Sequence, residues 1–585
     1  MLWLHPAQNL RRLITTQLSH LLRNHPILQS EVVLFVALFI SVLCGSAAVL
    51  LHESILAVTH TLHAFGSHID PTWYPWFVIC TPAAGGLIAG LVLQYITPQA
   101  RGSGIPQVKL DLAMRGGAIP FKVALGKLVT TTIAVGSGGS VGREGPTVQM
   151  CASIGSSLAR WFPLTTAQLR IMVHAACVSG LAAAFNTPIA GVTFIMEEVI
   201  GDLNTRHLSY LILAAIGATI TARIFLGDAP VFDVPAYALG HPIELGLYIL
   251  LGVLAGLVSV AFIRLLVWSI NRFQILTLPE FLKPMLGGLL VGFIALQLPQ
   301  VLGMGYGAVT DAMQNRLPLL LMFLLTVGKF IATILSYSSG TAGGLFAPAL
   351  FIGSMLGGSL AAGINEFTPL TIASPGAFAL VGMGAVFVGI IRTPITSILI
   401  IFEMTNDYAL ILPLMLANMT SYSLARFFEP HSVYDAILAA NNVHLPSGQD
   451  HVLLEELTAE DAMDRQPLTV GPDTSVADVA TLLEQHVAHG VPVVTPDQRL
   501  LGVVTLTDVR QVMRQEQHDK PVESVATTRH LISVHPDHTL NWVMQQMGAH
   551  EVSLLPVVTR GEAERLVGVL TMADIVRAYA QTKMQ

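Results

Sequence analysis

From Val32 to about Phe427 the chain repeats one pattern: apolar stretches near twenty residues long, separated by short polar or glycine-rich breaks. A bilayer's hydrocarbon core takes about 20 residues of helix to cross, so these stretches are expected to be membrane-spanning helices. Between residues 24 and 100 there is no Lys or Arg at all. Over the last ~130 residues charges return and apolar runs shrink to strand length, as expected of a water-soluble domain. The expected division is an N-terminal cytosolic helix over 1–30, a membrane domain over 31–440, a linker over 441–456, and two soluble domains over 457–516 and 521–583.

The membrane part repeats itself. Residues 126–159 align without a gap on 328–361 and share 11 of 34 positions, among them Gly126, Lys127, Ser137, Gly138, Gly142, Pro146 and Gly155. A second echo follows in order, TPI at 187–189 then Glu197 against TPI at 393–395 then Glu403. Repeats of this kind place a substrate at mid-membrane, where interrupted helices turn their N-termini towards it. The duplicated segments are rich in the Gly and Pro that interrupted helices need. In the tail, GVPVVTPDQRLLGVVTLTDVRQVM is echoed by SLLPVVTRGEAERLVGVLTMADIVRAY, a second duplication with a strand–turn–helix pattern.

Composition agrees with this division: 53% of residues are hydrophobic and 11% charged, where a soluble globular chain carries roughly 25% charge. The net charge of −7 gives no basic patch for nucleic acid. Cys44, Cys80, Cys151 and Cys177 lie in apolar segments without C-x-x-C spacing, so neither a metal site nor a disulfide framework is implied. No cleavable signal peptide is expected. Arg11, Arg12 and Arg23 precede the first apolar run, which puts the N-terminus in the cytoplasm.

Three clusters sit at breaks in the apolar sequence: GSGIP at 102–106, GREGP at 142–146 and GLFAP at 344–348. Each ends in Pro, which suits the first helical turn because its missing N–H would have no partner there. A helix N-terminus carries roughly +0.5 of a charge, so several pointing at one spot make an anion site without a full cation. A lysine in that place would hold the ion too long for transport. Glu144 stands inside the second cluster, and an ionised carboxylate at mid-membrane costs at least ~2.5–3.5 kcal/mol. Such a group beside an anion site can occupy it as a mimic of the anion or leave it when protonated. A plain ion pair with Arg143 is the alternative. Glu197 and Glu198 close an apolar helix in FIMEEV, where they could simply be solvated. Glu403 reads as structural.

In this order and spacing the three clusters resemble the anion-pathway signatures of the chloride channel/transporter (CLC) family, and Tyr434 in SVYDAIL is a fourth match. The resemblance covers residues 30–440. It implies an all-α polytopic membrane fold of two inverted repeats with many short or interrupted helices, and chloride as substrate. It assigns the central anion site to the Ser103 and Tyr434 hydroxyls with Gly102 and Ile105 around them. The outer part falls to the backbone amides of Arg143–Gly145 and of Leu345, Phe346 and Ala347, with Gly142 beside them. Glu144 resembles the family's external gate, and Glu198 the internal proton acceptor of its exchanger branch, which makes chloride/proton antiport the expected activity. Gln107 departs from the Glu that many relatives carry after GSGIP, without touching an anion ligand. The resemblance also implies a homodimer with one pathway per subunit, in the inner membrane of the cell.

The tail looks like a tandem pair of CBS domains, cytoplasmic with the N-terminus. Thr505 with Asp508, and Thr571 with Asp574, stand at helix starts where an adenine nucleotide could be held. Ordinary helix caps or a docking module remain the alternative. Among whole-protein alternatives, a passive chloride channel of the same fold needs Glu198 to relay no proton. A CBS-bearing divalent cation transporter needs converging intramembrane carboxylates, and the three clusters lack them. A hydrolase using Ser103 needs a base beside it, and no motif supplies one.

Overall fold

The computed structural model describes residues 26–583 apart from 163, 204–206, 233, 236, 238–243, 368–373, 406–408, 442, 444–456, 487–489, 514–517, 529–530, 551 and 561–564. Most of the expected N-terminal helix and of the linker therefore lies outside the described residues. The chain forms two units, Met1–Leu445 and Pro446–Gln585.

The first unit is helical. Its first half runs α1 (Pro26–Gly66), α2 (Tyr74–Tyr95), α3 (Ile105–Arg115), α4 (Lys122–Gly136), α5 (Glu144–Ala159), α6 (Thr166–Phe185), α7 (Pro188–Phe194) and α8 (Leu208–Leu226). The second half repeats the order with α9 (Glu244–Ile275), α10 (Lys283–Ala295), α11 (Tyr306–Met313), α12 (Leu319–Ser338), α13 (Phe346–Phe367), α14 (Pro375–Ile391), α15 (Pro394–Thr405) and α16 (Ile411–Phe428), and α17 (Val433–Ala440) follows. Among the described residues, seven helices are long and apolar enough to cross a membrane by themselves. Short ones such as α3, α7 and α11 open at a proline or behind a glycine, and each leaves backbone donors at its start.

Contacts between the halves are reciprocal. An added Cβ on Gly86 of α2 would strike the Pro284 carbonyl of α10, and one on Gly288 of α10 would strike that of Pro82 in α2. Within each half the same internal contact recurs: Lys127 donates to the carbonyls of Ala100 (2.8 Å) and Gly102 (2.6 Å), while Lys329, 202 residues on, donates to those of Val301 (2.9 Å) and Gly303 (2.6 Å). Glu197 accepts from the amides of Ile395 (3.1 Å) and Thr396 (2.8 Å) at the start of α15, and Glu403 accepts from those of Ile189 (3.0 Å) and Ala190 (2.7 Å) at the start of α7. Each half thus caps a helix of the other, which satisfies orphan donors and gives the two glutamates a structural role. Exchanged contacts of this kind are those of a two-fold axis between the halves.

In the second unit β1 (Gly490–Val494) pairs antiparallel with β2 (Leu500–Thr505), and β3 (Leu554–Val558) with β4 (Leu566–Thr571). Each pair runs on into a helix, Leu506–Met513 and Met572–Lys583. The opening residues of the two sequence repeats are exchanged in packing. Ala459, with Leu457 and Met463, joins the core of Val534, Leu555 and Leu570, whereas Val522, with Val525 and Ala526, joins that of Val476, Val491 and Val504.

Candidate anion site and its two carboxylates

Backbone pairing gathers the three glycine clusters. Gly142 and Gly344 exchange hydrogen bonds, N–H to carbonyl at 2.7 and 2.6 Å, so α5 and α13 start side by side. Gly102 donates to the Thr341 carbonyl (3.1 Å) and accepts from Gly343 N–H (3.2 Å), which brings the start of α3 to the same place. Glycine is required at this crossing. Gly104 takes φ +101°, a conformation that side chains disfavour, and an added Cβ on Gly145 would sit 2.5 Å from the Ser103 carbonyl. The buried Lys127 ammonium holds the loop before Ser103 from behind. Gln107 accepts from Gly104 N–H at 2.9 Å, so the departure from Glu keeps a capping role. Ile105 and Phe346 are fully buried, and the Phe346 ring packs on Phe185, Phe194 and Phe387 with centroids 4.4–5.6 Å apart. That aromatic cluster fixes where α13 begins.

At the crossing, Ser103 Oγ and Tyr434 Oη are both buried, close to each other and with Tyr337 beside Ser103, and neither is held in a well-formed hydrogen bond. An orphaned buried hydroxyl costs ~1–3 kcal/mol, so two of them together call for an acceptor that the chain itself does not supply. Tyr434 lies within electrostatic reach of both Glu144 and Glu198. The first turns of α5 and α13, with Arg143, Gly145, Leu345 and Ala347, add backbone donors nearby. The Arg143 side chain donates to the Ala184 carbonyl at 3.0 Å rather than to the Glu144 carboxylate.

Glu144 is fully buried. Its Oε1 accepts from Tyr306 Oη at 2.6 Å, and its Oε2, without a partner, folds back over Gly142 beside Ala347. Tyr306, from the start of α11, lines a cavity of about 420 Å³ together with His63, Tyr74, Ser137 and Gly138. Another cavity, of about 290 Å³, is lined by Gly102, Gln107, Tyr337 and Asn441, with Arg101, Glu280 and Lys283 at its wall. One cavity thus reaches the residue that holds Glu144, and the other reaches the loop that carries Ser103.

Glu198 sits in a π-helical turn, Ile195–Ile200, that ends α7. It is buried rather than solvated, and its Oε1 accepts from Lys109 Nζ at 2.9 Å. Glu197, one residue earlier, points instead to α15. Sequence reasoning missed Tyr306, Lys109 and Asp435. Only the Y of GYG at 305–307, the K of GSGIPQVK and the D of SVYDAIL could have signalled them.

In the second unit Thr505 donates to Asp508 Oδ2 at 2.6 Å and Thr571 to Asp574 Oδ2 at 2.5 Å, and the Asp amides point back to the threonine hydroxyls. Both pairs therefore close local helix caps. A cavity of about 540 Å³ lies between the repeats, lined by Thr505, Thr507, Arg510, Thr527, Ile532 and Leu554 among others. Of the four candidate nucleotide residues only Thr505 lines it.

Comparison with known proteins gives these features a family. The sequence model of the voltage gated chloride channel family matches residues 85–426, and the CBS domain model matches residues 459–515 and 522–581. A putative chloride channel protein ClcB-like of Ralstonia nicotianae is 36% identical over 372 residues, 63% of this chain and 87% of that protein. The H(+)/Cl(−) exchange transporter ClcA of Vibrio campbellii is 31% identical over 417 residues, 69% of this chain and 89% of that protein. The crystal structure of a slow cyanobacterial Cl−/H+ antiporter superposes with a TM-score of 0.66 at 28% identity, covering 70% of this chain and 97% of that one. With its knitted helix starts and its two orphaned hydroxyls, this membrane protein belongs to the voltage gated chloride channel (CLC) family and carries a pair of CBS domains behind the transport unit.

Proposed function

We propose that the protein is a secondary active chloride/proton antiporter, with Ser103 and Tyr434 as the central chloride ligands, Glu144 as the gate and Glu198 as the inner proton acceptor. The observation that carries this reading is the pair of unpartnered buried hydroxyls, with Tyr434 in electrostatic reach of two buried carboxylates. Chloride accepts from the two O–H groups and from the first-turn amides of α5 and α13. These are neutral donors, so binding is firm enough to select the ion and loose enough to release it. The Glu144 carboxylate competes with chloride for the same donors. On taking a proton it loses its charge, and with it its hold on the helix starts, and it swings towards the Tyr306 cavity while chloride passes. The proton then moves between Glu144 and Glu198, so chloride and proton cross in opposite directions.

A passive channel would use the same anion site. Antiport is favoured by Glu198, which is buried and ion-paired where a channel needs no carboxylate, and by relatives named as exchangers at about 30% identity. Crystals soaked in bromide are expected to show halide density between Ser103 Oγ and Tyr434 Oη. A saturating soak with no halide there would remove the anion site from this place.

The remaining parts of the proposal concern the assembly. The protein is a homodimer of the inner membrane with its tail in the cytoplasm, and light scattering of the detergent-solubilised protein would give twice the chain mass. An adenine nucleotide occupies the cavity between the CBS repeats, its phosphates near Arg510 and the start of helix Leu506–Met513. The volume is within the usual range for such ligands, about 300–1,000 Å³. Calorimetry on the full-length protein with ATP, ADP and AMP is expected to give saturable heat that Arg510→Ala diminishes. No heat at millimolar nucleotide would leave the pair an assembly module.

A further inference from the structure

One ammonium ties the proton acceptor to both chloride ligands. Lys109, on the second turn of α3, donates to Glu198 Oε1 at 2.9 Å and to Asp435 Oδ1 at 2.8 Å. The loop carrying Ser103 opens α3, and Asp435 follows Tyr434 in α17. The two helices that position the anion hydroxyls are therefore pinned to each other, and to the turn bearing Glu198, through a single side chain.

The three charges differ in wetness and in their other partners. Side-chain exposure rises from 5% at Glu198 through 15% at Lys109 to 45% at Asp435. Asp435 has a second anchor, since its Oδ2 accepts from Ser432 Oγ at 2.9 Å and its N–H donates to the same oxygen at 3.2 Å. The hydrogen bond on the Glu198 carboxylate comes from Lys109. With both carboxylates ionised the trio carries a net charge of −1, and with Glu198 protonated it is neutral. A buried carboxylate needs its cation only while it is charged. When Glu198 takes a proton, the ammonium is held by Asp435 alone, and the link from Glu198 to α17 loosens.

We propose that Lys109 is the positioning residue that passes the protonation state of Glu198 to the chloride ligand Tyr434 through Asp435. This inference rests on the antiporter reading above and names how its two ions are coupled. While Glu198 is ionised, Lys109 clamps α3, α17 and the Glu198 turn together. Once Glu198 is protonated, the clamp relaxes and Tyr434 is free to shift against Ser103. The charged and titratable groups that face Glu198 are Lys109 from α3, Asp435 and Tyr434 from α17, and Glu197 from its own turn. Lys109 is the cation among them, and the Glu197 carboxylate is committed to the α15 amides and Thr396 Oγ1.

The test uses full-length protein in liposomes, with wild type, Lys109→Arg, Lys109→Met and Asp435→Asn compared for protons moved per chloride and for the inner-side pH dependence of coupled flux. Lys109→Met is expected to lower the ratio by about threefold or more, and to move the inner-side pH dependence up by about one unit, because Glu198 then faces Asp435 with no cation. Lys109→Arg restores both. Asp435→Asn lowers the ratio and moves the pH dependence down rather than up, since the Lys109–Glu198 pair survives, the negative charge facing Glu198 is gone and the link to α17 is cut. A purely structural lysine would reduce the amount of active protein without moving the ratio or the pH dependence. A wild-type ratio and pH dependence in Lys109→Met overturns the inference. Where Lys109→Met fails to fold, an unchanged ratio in Asp435→Asn overturns it instead. Wild-type protein that moves no proton against a gradient sinks the antiporter reading, and the inference with it, before any variant is compared.

Discussion

Glu144→Gln is expected to carry chloride quickly and to move no protons. Glutamine has the shape of the protonated carboxyl and cannot ionise, so it does not compete for the α5 and α13 donors and cannot ferry a proton. In liposome flux measurements the protons moved per chloride should fall below about one tenth of wild type, as expected when a mid-membrane carboxylate is the carrier. Tyr306→Phe makes a graded version of the same point. It removes the 2.6 Å hydrogen bond to Glu144 Oε1, and a bond to a charged group is worth about 1.5–3 kcal/mol. The gate should then be released on the order of ten times more often, with faster chloride turnover and coupling retained, because the carboxylate itself remains. Full proton coupling in Glu144→Gln would remove Glu144 from the proton route.

Glu198→Gln is expected to behave differently. The amide oxygen can still accept from Lys109, so the turn should fold, but no proton can be taken up. Proton movement should disappear, falling below about one tenth of wild type, while a slower chloride flux persists through the intact gate. Glu197→Gln serves as the neighbouring control. Glu197 accepts two α15 amides and the Thr396 hydroxyl, so weakening it should cost about 1–2 kcal/mol of helix capping. That variant should melt a few degrees lower and still exchange. If Glu198→Gln exchanges normally, the buried carboxylate is only the partner of Lys109, and Glu198 is removed from the proton route.

The anion site was legible because its chemistry is local. A glycine cluster followed by proline names a helix start from five residues, and three such starts suffice to suggest an anion. In the membrane part the duplication was visible over residues 126–159 and 328–361, and again in the short TPI-to-Glu echo at 187–197 and 393–403, since the longer segments carry the loops that bond to each other and to buried Lys127 and Lys329. Elsewhere the halves keep small residues at crossings, such as Gly86 and Gly288, and those are too few to align. Glu197 and Glu198 could not be told apart as structure and chemistry, because adjacent helical residues point roughly 100° apart and only the neighbours decide which meets a lysine. Tyr306 lies 162 residues from Glu144, and Lys109 lies 326 from Asp435. No spacing rule reaches across such distances. The exchange of packing between the CBS repeats was equally hidden, because the sequence repeat follows the chain while the cores follow the contacts.

The central claim is that chloride flow is tied to proton flow. It is tested most directly by placing purified wild-type protein in liposomes with a chloride gradient, no proton gradient and the membrane voltage clamped by ionophore, and recording the external pH. Protons are expected to move in the direction opposite to chloride and to build a pH gradient that was not there before. Chloride running down its gradient with the external pH unchanged would contradict the claim, and would leave the same fold and anion site working as a channel.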